Sequence, residues 1–247
     1  DILTVNSSKD IGVEWVPSNA KFQKLNTLEN TLYEQELLST PTMLSNADLV
    51  NGTYRIRTSG LYKLSETLTF NPNPGSDHMP TQQQIDDGDY PVMPLGPYHL
   101  GFFAAISIEA DNVILDLNGF ELKQHPAHRL QQRFFSLSEL GSSPFVPTQG
   151  PSNFGDTVVY PKNVMIKNGT LGLSSHHGIH GNSSTNVIIT DISFNNFEVG
   201  GWHLNGCNNV LLRNLHVDTN LQDVRVLAMY SQARFIRSFL QKIIDDN

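Results

Sequence analysis

The sequence predicts an all-β solenoid, in which short strands and tight turns wind into stacked coils, on three observations. The phrase Asn163-Val164-Met165-Ile166 returns as Asn186-Val187-Ile188-Ile189 and again as Asn209-Val210-Leu211-Leu212, 23 residues apart each time. A fixed period in this range with a β-rich apolar run in every copy is the signature of a stacked repeat. The intervals between copies hold Gly172, Gly178, Gly181, Gly200, Gly201 and Gly206 among Ser and Asn clusters, which read as turns and leave no room for a helix. The phrase also occurs earlier, at Asn112-Val113-Ile114-Leu115, 51 residues before Asn163. One coil therefore carries an insertion, and Leu61-Tyr62-Lys63-Leu64, another 51 residues back, is the expected first coil. Equivalent positions of neighbouring coils then stack at the strand spacing of about 4.8 Å.

The segments ADNVILDLNGFEL, KNVMIKNGTL, TNVIITDISF and NNVLLRNLHV resemble the right-handed parallel β-helix families of the pectate-lyase-like superfamily. The resemblance covers residues 58–220. It implies a right-handed parallel β-helix and leaves the activity open, because that superfamily holds lyases, epimerases, hydrolases, viral tailspikes and structural proteins.

Around that body the chain divides into three parts. Residues 1–57 read as an extended segment and an N-terminal capping helix from about Lys21 to Leu38, with Ser18-Asn19 as its cap and Phe22, Leu25, Leu28, Leu32 and Leu37 on one face. A helix suits that place because the open end of a coil exposes backbone edges that invite pairing. Residues 58–220 form the coils, with excursions at 71–97 and 123–162 rich in Pro, Gly and polar residues. Residues 221–247 read as a C-terminal amphipathic helix, with Leu227, Tyr230, Phe235, Ile236, Phe239, Leu240 and Ile243 on a broad apolar face. That face requires burial against the last coil, the side of the stack or a partner chain.

Net charge is −8, so the electrostatic footprint of a nucleic-acid-binding protein is missing. The stretch from Glu121 to His180 runs against this balance: it holds five Lys or Arg, three acids and five of the nine histidines, and could face an anionic partner. A single cysteine, Cys207, excludes an intramolecular disulfide. No apolar run of some 18 residues is present, so no membrane span is expected. The chain starts at Asp1 and reads as processed or trimmed. Sequons at Asn6, Asn51, Asn168 and Asn182 permit glycosylation, and an extracellular or surface-associated location is expected.

Stacking assigns each residue a direction. Strand alternation sends Val113 and Leu115, Val164 and Ile166, Val187 and Ile189, Val210 and Leu212 inward. The outward column is then Ile114, Met165, Ile188 and Leu211, all apolar. Such a column needs a cover, from the C-terminal helix, the second excursion or another chain. Asn112, Asn163, Asn186 and Asn209 stack at the strand entrance and are expected to form an amide ladder.

The columns that carry chemistry follow the same period. His180 and His203 are 23 residues apart, as are Asn182 and Asn205, and Gly178 and Gly201. With Ile179 and Trp202 inward, both imidazoles face out on adjacent coils, with His176 and His177 just before them and glycines leaving room for a ligand. Imidazole titrates near neutral pH and can abstract or donate protons; stacked histidines also form ordinary ladders. A metal site is not expected, because no carboxylate or thiolate accompanies the histidines at ligand spacing. Candidate catalytic residues are His180, His203 and His177. Candidate substrate-binding residues are Lys167 and Arg213 from the next strand, Asn182 and Asn205 beside the histidines, and Arg129 and Arg133 from the second excursion, expected to wall a groove.

The expected ligand is a polysaccharide or other glycan lying along the coils, since a repeating surface suits a repeating ligand. Hydrolysis needs converging carboxylates, and the best repeats are poor in acids. Elimination or C5 epimerisation needs a base next to a uronate α-carbon and a group that neutralises the carboxylate, parts that the histidines with Lys167 or Arg213 could supply. The two readings are thus an acidic-polysaccharide lyase or C5-epimerase, and a non-catalytic structural or attachment protein of an appendage, shell or capsid, in a homo-oligomer or larger assembly. The cofactor, if any, stays open.

Overall fold

The computed structural model describes residues 2–5, 13–16, 18–50, 52–72, 102–131, 134–141, 159–218 and Ile244. In chain order, strands β1 (Ile2–Val5) and β2 (Val13–Val16) precede helix α1 (Ser18–Leu38). Strands β3 (Thr42–Leu44), β4 (Tyr54–Ile56), β5 (Gly60–Leu64) and β6 (Leu68–Phe70) follow. Next come β7 (Phe102–Ile108), β8 (Val113–Asp116), β9 (Glu121–Gln124), helix α2 (Pro126–Gln131) and β10 (Phe134–Leu140). The last described stretch holds β11 (Lys162–Leu171), β12 (His177–Asn182), β13 (Thr185–Asn195), β14 (Gly200–Asn205), β15 (Asn208–Arg213) and β16 (His216–Asp218).

The protein is predominantly β and its principal sheets are parallel. One sheet runs β14-β12-β10-β7-β4. The other runs β15-β13-β11-β8-β5-β3, with β16, β9 and β6 attached. From β4 onward the chain alternates between the two, so each return adds one strand to each sheet. β1 and β2 form a separate antiparallel pair. The register follows the repeat: Val164 pairs with Val187 and Val187 with Val210, while Val113 pairs with Val164. Between the sheets lies one apolar core that includes Val113, Leu115, Val164, Ile166, Val187, Ile189 and Phe194.

Asparagine makes the strand entrances. Asn112, Asn163, Asn186 and Asn209 all take left-handed backbone angles, with φ between 53° and 60°. A Cβ normally disfavours that conformation, and Asn tolerates it through short-range hydrogen bonding. The amides bond along the stack: Asn163 Nδ2 donates to Asn112 Oδ1 (2.8 Å), Asn186 to Asn163 (2.8 Å) and Asn209 to Asn186 (3.0 Å). At the strand exits Asn168 Nδ2 donates to Asp116 (3.1 Å) and Asn214 Nδ2 to Asp191 (2.9 Å).

The outward column Ile114, Met165 and Ile188 is fully buried, and Leu61 and Leu211 extend it at either end. Its cover is α1, through Leu28, Leu32 and Tyr33. The segment expected to cap the open end instead lies along the flank of the larger sheet. Only part of the expected apolar face is used, since Leu37 is exposed. The reason is the flanking charge: Glu29 meets Arg213, and Glu36 meets Lys63 at 3.2 Å and Lys167. These acids sit either side of Leu32 and Tyr33 on one helix face, so ion pairs bracket that apolar contact where α1 crosses the strands.

Two other sequence expectations need adjustment. The interval 123–162, read as an excursion, contains α2 and also β10, which pairs in parallel with both β7 and β12. The C-terminal helix lies outside the described residues except for Ile244, which is helical.

Candidate functional site

The smaller sheet places four residues in one outward column across successive strands: Ser107, Glu139, His180 and His203 are paired in turn. A parallel column holds Ala104, Ser136, His177 and Gly200. The neighbours of Glu139 and His180 point the other way. Leu140 and Ile179 are in the core, and a Cβ on Gly181 would meet Leu140. Strand alternation thus turns Glu139 and His180 toward each other on the same face.

Their contact is close. His180 Nδ1 lies 2.8 and 2.9 Å from the two Glu139 carboxylate oxygens, and Ser136 Oγ donates to Glu139 Oε2 at 3.0 Å. The carboxylate accepts the Nδ1 proton, which leaves Nε2, on the far side of the ring, as the nitrogen free to take a proton in the neutral imidazole. Glu139 is 2% exposed and His180 8%. Burial pushes the Glu139 carboxyl up, an effect that the His180 ring partly offsets. Burial pulls His180 down, but the charge and hydrogen bond of Glu139 outweigh it and hold the imidazole above its ordinary value. His180 is thus a stronger base than a free histidine.

Three more imidazoles complete the cluster. The His180 and His203 ring centroids are 5.6 Å apart, and His177 lies 5.4 Å from the first and 4.9 Å from the second. His176 and His177 approach Nδ1 to Nδ1 at 2.8 Å. Burial, reinforced by the three neighbouring rings, pushes His177 down to about 3, so it stays neutral and packs against the others. His203, on the outermost of these strands, is exposed. The cluster is buried on β10 and β12 and opens at β14. Asn205 Nδ2 donates to Asn182 Oδ1 at 3.0 Å, an amide pair two residues along on the same face. Asn182 is buried, so this sequon is not presented for modification.

The structure gathers His177, His180, His203, Asn182 and Asn205 and separates them from the expected cations. Lys167 and Arg213 belong to β11 and β15 of the other sheet, where they engage Glu36 and Glu29 under α1. Lys167 also lies 5.0 Å from the Tyr33 ring centroid. Neither can hold a carboxylate beside His180, because the core lies between. Arg129 is buried and pairs with Glu198 at 3.1 Å; Glu198 lies two residues before β14. Arg133 lies outside the described residues. Gly178 and Gly201 do not leave room for a ligand. A Cβ on either would meet the Phe194 ring, and one on Gly178 would also meet the Gly201 carbonyl, so both are glycine to let β12 and β14 pack over Phe194.

Sequence reasoning missed Glu139 and Ser136. A signal was present. Each return of the chain adds a strand to both sheets, so the 51 residues from Asn112 to Asn163 had to supply one between 124 and 162 to lie beside Phe102–Ile108.

Among the described residues no group of three or more His, Cys, Asp or Glu side chains is arranged to hold a metal ion. No described helix is long and apolar enough to cross a membrane. No protein-family model, curated protein or solved structure matches the chain.

Proposed function

We propose that this protein is a right-handed parallel β-helix that acts on an acidic polysaccharide by proton abstraction, as a lyase or C5-epimerase does. The observation that carries the reading is the buried Glu139–His180 pair beside the exposed His203. A carboxylate that fixes the tautomer and orientation of an imidazole, and stabilises the imidazolium once formed, is the arrangement general-base catalysis requires. The proton taken is the one next to a uronate carboxylate, which becomes acidic enough for such a base when donors neutralise the carboxylate. The amide of Asn205 stands on the same face as a donor to that carboxylate. Glycoside hydrolysis fits poorly, since it needs a second carboxyl group across the bond, and Glu139 is engaged by His180 and Ser136. A polymeric glycan substrate goes with an extracellular or surface-associated protein.

The test is a panel of uronic-acid polymers in D2O, read for unsaturated products by ultraviolet absorbance and for deuterium at C5. The expected result is exchange or product with at least one polymer, reduced roughly 10²–10⁴-fold by His180→Ala. Glu139→Gln should lower the rate and move the acid limb of the pH profile to lower pH, because the carboxylate that raises the His180 proton affinity is gone. A residue that only supported the fold would leave that limb in place.

A second reading has its own observation. Val199, Leu212 and Val217 on the last described coil are 58%, 38% and 47% exposed, a surface that suits assembly of a non-catalytic structural or attachment protein. That reading takes over if no polymer exchanges or is cleaved and the full chain sediments as an oligomer.

A further inference from the structure

We infer that the site takes uronans in which H5 and O4 project from the same face of the sugar ring, those of gluco or manno configuration, and cleaves them by syn elimination. This rests on the reading that the site abstracts a proton next to a uronate carboxylate, and narrows it. The two imidazoles that can act occupy paired positions on adjacent strands of one sheet, His180 on β12 and His203 on β14. Their ring centroids are 5.6 Å apart. Glu139 and His177 stand on the same side of the same sheet. A sugar seated over the exposed His203 approaches both acid–base groups from this one side. Each group must come within about 3 Å of the atom it serves, and adjacent H5 and O4 atoms on one ring face can meet two nitrogens so placed.

That placement decides among three reactions. C5 epimerisation removes a proton from one face and returns one to the other, so its two groups must flank the ring. Anti elimination likewise needs the acid on the face opposite the base. Syn elimination uses one face. His180 Nε2 takes H5, the C5–H electron pair becomes the C4–C5 double bond, and the C4–O4 bond breaks with its pair on oxygen. That oxygen takes a proton from His203 and leaves as the anomeric hydroxyl of the preceding residue. The carboxylate is unchanged, and no water, oxidant or reductant is consumed. The imidazolium formed at His180 is the species that Glu139 stabilises, and it returns its proton to His203 or to solvent. D-Mannuronate and D-glucuronate carry H5 and O4 on the same face. L-Guluronate and D-galacturonate carry them on opposite faces.

Poly-D-mannuronate and poly-L-guluronate make the matched test, since they differ only in configuration at C5. With the full chain, poly-D-mannuronate or poly-D-glucuronate should yield unsaturated product at least about 10²-fold faster than poly-L-guluronate or polygalacturonate. His203→Ala should cut product formation roughly 10²–10⁴-fold on the favoured polymer while C5 deuterium exchange persists, which a merely structural role would not produce. His203 is exposed, so the variant keeps its fold. Faster cleavage of poly-L-guluronate or polygalacturonate, or inversion at C5 without cleavage, overturns this inference and leaves proton abstraction standing. No exchange and no product with any of the four polymers removes both.

Discussion

The two parallel sheets are stacked in the same way, yet their outward columns have opposite chemistry. On the larger sheet Leu61, Ile114, Met165, Ile188 and Leu211 form an aliphatic column under α1, closed by Glu29–Arg213 and by Glu36 with Lys63 and Lys167. On the smaller sheet Ser107, Glu139, His180 and His203 form a polar column, buried at one end and exposed at the other. Stacking multiplies whatever a position contains. Repeated aliphatics build a dry seam whose cost of exposure recruits a helix. Repeated titratable groups perturb one another, and their protonation becomes a property of the group. Cations on the helix-covered face hold the helix, and the core separates them from a ligand on the other.

The largest effect should come from wetting the dry seam. Ile188→Asp places an unpaired carboxylate under α1, where the side chain is fully buried, and should destabilise the protein by about 4 kcal/mol or more in urea denaturation. His203→Asp, at the open end of the polar column, should cost well under 1 kcal/mol. Equal losses at the two sites would erase the distinction between the faces.

A second effect should appear only at low pH. His177 is neutral when folded, with its value depressed to about 3, whereas the unfolded chain titrates near 6.5. Between these values the unfolded state binds the extra proton, so the contribution is present above about pH 6.5 and lost as pH falls toward 3, at up to about 1.4 kcal/mol per pH unit. His177→Phe should flatten that limb of a plot of melting temperature against pH. A variant that runs parallel to the parent would show that His177 is not what the acid attacks.

The smallest effect should come from the clasp. Arg213 is partly exposed where it meets the buried Glu29, so Arg213→Gln should cost about 1–2 kcal/mol and less in high salt. A larger, salt-insensitive loss would mean that the ion pairs, rather than Leu28, Leu32 and Tyr33, hold α1 in place.

Much of this was legible in the chain. The spacing of Asn163, Asn186 and Asn209 determined the parallel register, because a strand of fixed rise brings identical positions into line. The apolar Ile114, Met165, Ile188 and Leu211 required a cover, since water excludes a stacked aliphatic column. The same spacing placed His180 beside His203. What covered the column, what lay next to His180 and which charges were free were decided by tertiary structure. Those contacts join residues at no repeating interval: Glu29 with Arg213, Glu36 with Lys167, Glu139 with His180. A period reports what recurs, and the longer interval between Asn112 and Asn163 hides the strand that carries Glu139. The base and its carboxylate meet only when β10 pairs in register with β12.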